Sequence, residues 1–141
     1  MATTIKIKTL KEGYQSIITN GKHSIVGDEP VSSKGTDLGM SPPELVLAGI
    51  GMCKTATVRN VARRKGWDIG IVEGSFTQKV RKTENGLEPF ITVEISIEGD
   101  LTDEQRNHLL HEADHCYVHR LIDNNWNIET AIKEEALESV F

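Results

Sequence analysis

The sequence predicts a mixed fold in which antiparallel strands are joined to two helices, one of them long. Three observations predict it. The first 28 residues alternate apolar and polar positions between turn residues. Residues 41–66 hold a helix start, an apolar run and a helix stop. Phe90 to Gly99 alternates Ile91, Val93, Ile95 and Ile97 behind an Asn-Gly turn. A period of two belongs to strands with one buried face, and capped runs belong to helices.

Taken in order, Ile5 and Ile7 alternate with Thr4, Lys6 and Lys8 as a first strand. Tyr14 to Thr19 reads as a second strand, Asn20-Gly21 as a two-residue hairpin turn, and His23 to Gly27 as a third strand. Residues 28–40, DEPVSSKGTDLGM, are rich in turn formers and read as a loop. Ser41-Pro42-Pro43-Glu44 then has a capping serine, proline in the first turn and glutamate three residues after the serine. The helix it opens should run to Lys65 and stop at Gly66, a length of about 36 Å.

Leu45 to Cys53 is apolar on every face and therefore predicts a helix buried all round. Gly49 and Gly51 each cost about 1 kcal/mol relative to alanine in a helix, which points to close approach by another backbone. One small domain cannot easily surround such a helix, so a second subunit is expected. Trp67 to Arg81 and Phe90 to Gly99 read as two longer strands around Asn85-Gly86. Thr102-Asp103-Glu104-Gln105 is a second capping box, opening a helix that includes His111 to Ile122. Trp126, Ile128, Thr130 and Ile132 alternate as a last strand, and residues 134–141 form a short helix or a tail. No internal repeat or linker interrupts residues 1–141, which read as a single domain.

Composition removes several function classes. The 141 residues carry a net charge of −5, and no Lys/Arg run exceeds Arg63-Arg64-Lys65, so no nucleic-acid footprint is expected. The N-terminal MATTIKIKTL lacks the apolar core of a signal peptide, and Leu45 to Cys53 falls far short of the roughly 20 residues of a membrane span. The cytoplasm is the expected location, where two cysteines are reduced, catalytic or redox-sensing rather than a permanent staple.

Within HEADHCYVHRLI, His111-Glu112-Ala113-Asp114-His115 matches the H-E-x-x-H pattern of zinc proteases. His119 extends the row and Glu134 lies far enough downstream for a third ligand. Against a zinc hydrolase, the motif fixes only three positions, and the neighbouring residues are mostly polar. Val118 and Leu121 stand where an extended motif has glycine and histidine. A solvated helix face bearing histidines is the preferred reading, with no metal site.

The cysteines have a stronger context. Ser41-Pro42-Pro43-Glu44-Leu45, Ala48-Gly49, Cys53 and then Cys116-x-x-His119-Arg120-Leu121 resemble the OsmC/Ohr family, and the order of elements matches along nearly the whole chain. The resemblance is closer to the divergent, YhfA-like branch. It implies an α+β fold with antiparallel sheets wrapped around long central helices in an intertwined homodimer. It also implies a thiol-dependent peroxidase that reduces organic hydroperoxides. Cys53 would be the peroxidatic thiolate and Cys116 the resolving thiol, with a dithiol or other thiol reductant restoring both and no metal or organic cofactor. A dimer that only binds an apolar small molecule at its interface is the alternative from another class.

The sequence departs from the family at its activating residues. The family's arginine comes from the N-terminal third, whereas the first arginine here is Arg59. The family's glutamate directly follows the helix-start proline, where this chain has Pro43, with Glu44 one residue later. Glu44 and Cys53 are nine positions apart, about 180° around one helix, so Glu44 is better read as the capping partner of Ser41. The family's Cys-Pro is Cys116-Tyr117. A thiol with a pKa of about 8.5 needs a cation to react fast at neutral pH. Lys34, in the loop before the helix, and Arg120, one turn after Cys116, are the candidates.

Overall fold

Ser41 and Gly66 bracket the long helix as their residue types dictate. In this computed structural model, which describes residues 2–131, α1 spans Pro42–Lys65. Glu44 Oε1 accepts from the Ser41 backbone N–H at 3.1 Å and from its hydroxyl at 2.7 Å, holding the Glu44 carboxyl below the usual range. Glu44 is thus the capping residue and not a partner of Cys53. At the other end Gly66 takes φ +70°, the left-handed conformation in which glycine meets no penalty.

The described residues divide into two compact units, one holding those up to Val46 and those from Ile128 on to 131, the other Leu47 to Asn127. The first contains an antiparallel meander of β1 (Lys6–Thr9), β2 (Ser16–Thr19) and β3 (Ser24–Gly27), with Ile7 opposite Ile18 and Ile18 opposite Ile25. The β2–β3 turn is centred on Gly21-Lys22 rather than on Asn20-Gly21. Asn20 Oδ1 accepts the amides of Lys22 and His23, at 3.0 and 2.7 Å, which fixes Asn20 as the residue before the bend.

The loop from Asp28 to Met40 is tied down by one carboxylate. Asp28 is buried and accepts the amides of Glu29 at 2.7 Å and Leu38 at 3.2 Å, and the Thr36 hydroxyl at 2.5 Å. The Thr36 bond foremost, with the amides, lowers its pKa from 3.8 to about 2, against the opposing effect of burial. A depressed carboxylate stabilises the fold fully above its unfolded pKa and loses that contribution as pH falls through the folded one. Asp28→Asn would turn an NH2 toward groups that donate. In urea titrations, the stability gap between wild type and Asp28→Asn is expected to be constant above about pH 4 and to close as pH falls toward about 2. A gap that does not change across that window would remove Asp28 as the anchor.

The second unit carries the larger core. β4 (Val72–Thr83) and β5 (Gly86–Ile97) form an antiparallel hairpin whose tip is Glu84-Asn85, with Gly86 closing it. Thr102 opens α2 (Asp103–Ala113) with the full capping box: its hydroxyl accepts the Gln105 amide at 3.1 Å, and Gln105 Oε1 accepts the Thr102 amide at 2.9 Å. Val58, Val61 and Ala62 of α1 meet Ile97 of β5 and Leu109 and Ala113 of α2, with Trp67, Ile69, Val72 and Leu101 around them. Arg59 donates to the carbonyls of Ile69 and Gly70, and Arg106 to those of Ile97 and Gly99.

Within one chain α1 buries only the stripe of Ile50, Gly51, Lys54, Val58, Val61 and Ala62, leaving Val46 56% and Met52 76% exposed. Among the described residues nothing lies within 4 Å of a Cβ placed on Gly49. Three expectations are corrected. The group against Gly51 is the Phe76 ring and not a backbone. The helix expected through Ile122 is two helices, α2 ending at Ala113 and α3 (Tyr117–Ile122) starting after a three-residue break. Residues 125–131 form no strand, and Trp126 and Ile128 are exposed. Their alternation finds no strand edge among the described residues. Ile132, Glu134 and residues 134–141 lie outside the described residues.

Candidate active site

Cys53 and Cys116 come together in the Leu47–Asn127 unit. Cys53 lies mid-way along α1 and is half-buried; Cys116 is 2% exposed and is the N-cap residue of α3. The backbone N–H of Val118, at the second position of α3, is one of the helix-start donors without an intrahelical acceptor. It donates to Cys53 Sγ at 3.5 Å. The Cys53 thiol is also a neighbour of Cys116, near enough to act on its ionisation. Both cysteines are free thiols.

Burial pushes the Cys116 thiol above its ordinary value, and the Cys53 thiol beside it pushes the same way. The backbone N–H of His119 pulls it down without closing a hydrogen-bonded cap, and so does the charge of Lys54. Half-buried Cys53 and buried Cys116 are therefore unequal in access to solvent.

The cation beside the thiols is Lys54. Its side chain is only 3% exposed. It donates to the Ala113 carbonyl at 3.1 Å, to Asp114 Oδ1 at 3.3 Å and to His119 Nδ1 at 2.9 Å. A buried ammonium is costly unless its donors are used, and here all three are. Because Lys54 donates to Nδ1, the His119 ring proton sits on Nε2, which donates to Asp123 Oδ2 at 3.3 Å.

The other predicted residues lie elsewhere. Lys34 is exposed in the first unit, where it ends the 3-10 turn Val31–Ser33 with φ 68°. The Arg120 guanidinium lies over the exposed Tyr117 ring, 5.9 Å from its centre. Tyr117 is the first residue of α3, a position that also favours proline, so the helix start that a Cys-Pro would make is retained. The His111 and His115 rings are 4.9 Å apart, but His115 lies past the end of α2 and its Nδ1–H donates to the His111 carbonyl at 3.1 Å. Among the described residues no group of three His, Cys, Asp or Glu is arranged to hold a metal ion.

Sequence reasoning missed Lys54 and the inward role of His119. The signal for Lys54 was its spacing: four residues after Ile50 and four before Val58, it falls on the buried stripe of α1.

Comparison with known proteins agrees with this arrangement of elements. The family described as OsmC-like protein matches residues 35–131. An OsmC-like protein from Mycoplasma pneumoniae superposes with a TM-score of 0.74 at 16% identity, covering 87% of this chain and 88% of that one. An organic hydroperoxide resistance protein OsmC from Legionella pneumophila gives 0.68 at 20% identity, covering 89% and 91%. The organic hydroperoxide resistance protein OhrB of Bacillus subtilis gives 0.66 at 18% identity, covering 89% and 93%. At these identities the likeness is one of fold. No curated protein matches the sequence.

Proposed function

The chain belongs to the OsmC-like protein family, and from that premise we propose that it is a thiol-dependent peroxidase acting on organic hydroperoxides through Cys53 and Cys116. The observation that carries this reading is the meeting of two thiols 63 positions apart in sequence, one half-buried and one buried. Structural neighbours described as organic hydroperoxide resistance proteins support the substrate class.

In this reading the Cys53 thiolate attacks the outer peroxide oxygen of R–O–O–H. The O–O bond breaks, R–O⁻ takes a proton and leaves as an alcohol, and Cys53 becomes a sulfenic acid. Cys116 then attacks that sulfur; its proton joins the departing hydroxide as water, and a disulfide remains. A dithiol or other thiol reductant returns both thiols by exchange. No metal or organic cofactor enters any step. The displaced arginine and glutamate support assignment to the divergent, YhfA-like branch.

The working form in this reading is a homodimer. The exposed apolar positions of α1, Val46 and Met52 among them, and the exposed Trp126 and Ile128 support it, since a partner would cover them. Among the described residues no helix is long and apolar enough to cross a membrane, which accords with a cytoplasmic location.

One observation favours a second reading. The first unit holds a cavity of about 580 Å³ lined mainly by Ile7, Tyr14, Ile18, Met40 and Leu45, a size suited to a small apolar ligand. One experiment separates the two: mass spectrometry after one equivalent of cumene hydroperoxide. A Cys53–Cys116 disulfide and consumed peroxide are expected. Unmodified thiols with the peroxide intact would reject the peroxidase in favour of the binder.

A further inference from the structure

The peroxidase reading leaves Lys54 without a part, and its bonds suggest one. All three of its donors reach the segment that carries Cys116: Ala113 and Asp114 just before that residue, and His119 three residues after it. Lys54 is itself the neighbour of Cys53 along α1. One buried side chain therefore clamps both flanks of the second thiol to the helix that bears the first. We infer that Lys54 is a positioning residue for the resolving step, its ammonium holding Cys116 against Cys53 and supplying the positive charge beside which Cys116 gives up its proton. The inference rests on the two-thiol reading in assigning that step to Cys116.

The charge balance supports this division of labour. Resolution makes a buried thiol into an attacking thiolate, and burial opposes that ionisation. The groups around the pair are Cys53 and Lys54 from α1, and Asp114 and His119 from the α2–α3 segment, with Asp123 behind His119. Asp114 and Asp123 are largely exposed, so water screens both, whereas Lys54 is enclosed. Its charge therefore acts on Cys116 with the least screening.

Two measurements test it without using peroxide turnover. In Cys53→Ser, which leaves Cys116 as the only cysteine, the 13Cβ shift of labelled cysteine reports ionisation of Cys116. Adding Lys54→Met is expected to raise its midpoint by at least about one pH unit, or tenfold less thiolate at a given pH. With both cysteines present, equilibration against glutathione reports how well the two thiols are held together. Lys54→Met is expected to shift that equilibrium at least tenfold toward the reduced pair. Lys54→Arg keeps the charge and should recover part of the midpoint. His119→Ala removes one flank of the clamp and keeps the charge, so it should shift the glutathione equilibrium more than the midpoint.

A folded Lys54→Met protein with wild-type values in both measurements overturns the inference. Should Lys54→Met fail to fold, an unchanged glutathione equilibrium in His119→Ala overturns it instead. A wild type that forms no Cys53–Cys116 disulfide at any glutathione ratio also overturns it. If that disulfide forms and Lys54→Met weakens it while cumene hydroperoxide goes unconsumed, the inference stands and the peroxidase reading falls.

Discussion

Cys53→Ser is expected to end hydroperoxide consumption, lowering the rate by more than about a thousandfold, the order of loss when a nucleophile is taken from a concerted site. A hydroxyl in the same place is a far weaker nucleophile and cannot form the sulfenic acid on which the second step depends. Cys116→Ser should behave differently. It leaves the half-buried Cys53 in place, so one equivalent of peroxide is still consumed. The protein should then gain the mass of one oxygen and, with excess peroxide, of two, because no second thiol closes the disulfide. Turnover with a dithiol should fall to a small fraction of wild type. Peroxide loss followed by ferrous oxidation, with intact-protein mass in parallel, reads both variants. Wild-type consumption in Cys53→Ser would remove Cys53 from the chemistry. Full dithiol turnover in Cys116→Ser would show that resolution comes from outside the chain.

The largest effect on stability is expected from Leu109→Ala. Leu109 is fully buried where α1, α2 and the end of β5 meet, against Val58, Val61, Ala62, Ile97 and Ala113. Truncating a leucine there removes its burial and leaves a cavity, a cost of about 3 kcal/mol within a usual range of about 2–5. For a domain of this size the midpoint of thermal unfolding should drop by on the order of 10 °C. The α1–α2 contact also bears Lys54 and Ala113, so the variant should loosen the thiol pair as well as the core. A drop of less than about 1 kcal/mol in urea titration would mean that the core collapses around the gap or is organised differently.

Much of the architecture is written in local chemistry. Ser41 with Glu44, Thr102 with Gln105, and Gly66 name three helix ends, and each acts through bonds its own side chain or backbone makes. Strands β1 to β5 followed from alternation, with offsets where a turn depended on details such as the two amides on Asn20 Oδ1, whereas the alternation of Trp126 and Ile128 matches no strand among the described residues. The break between α2 and α3 was not legible, because Asp114 and His115 are neither glycine nor proline and nothing local forbids a continuous helix there. Bonds from Lys54, 59 and 60 positions away, hold that segment in place. The candidate site was legible only in part for the same reason. The resemblance picked out Cys53 and Cys116, but the search for a cation looked to exposed Lys34 and Arg120, where charges usually lie. A buried lysine contradicts that expectation and becomes intelligible only once its three acceptors are known.

The three-residue break at Asp114–Cys116 has a mechanical consequence. Closing a disulfide draws two sulfurs to about 2.05 Å and imposes a fixed torsion, so one side or the other must give way. Had Cys116 belonged to an unbroken α2, that displacement would act on a rod that also carries Leu109 and Ala113, and in the two-thiol reading each oxidation would load the core. Cys116 instead sits at a joint between an eleven-residue helix and a six-residue one. In the two-thiol reading, Lys54 fixes the flanks of this joint and the backbone between them takes up the displacement, so α2 would keep its seat through each oxidation.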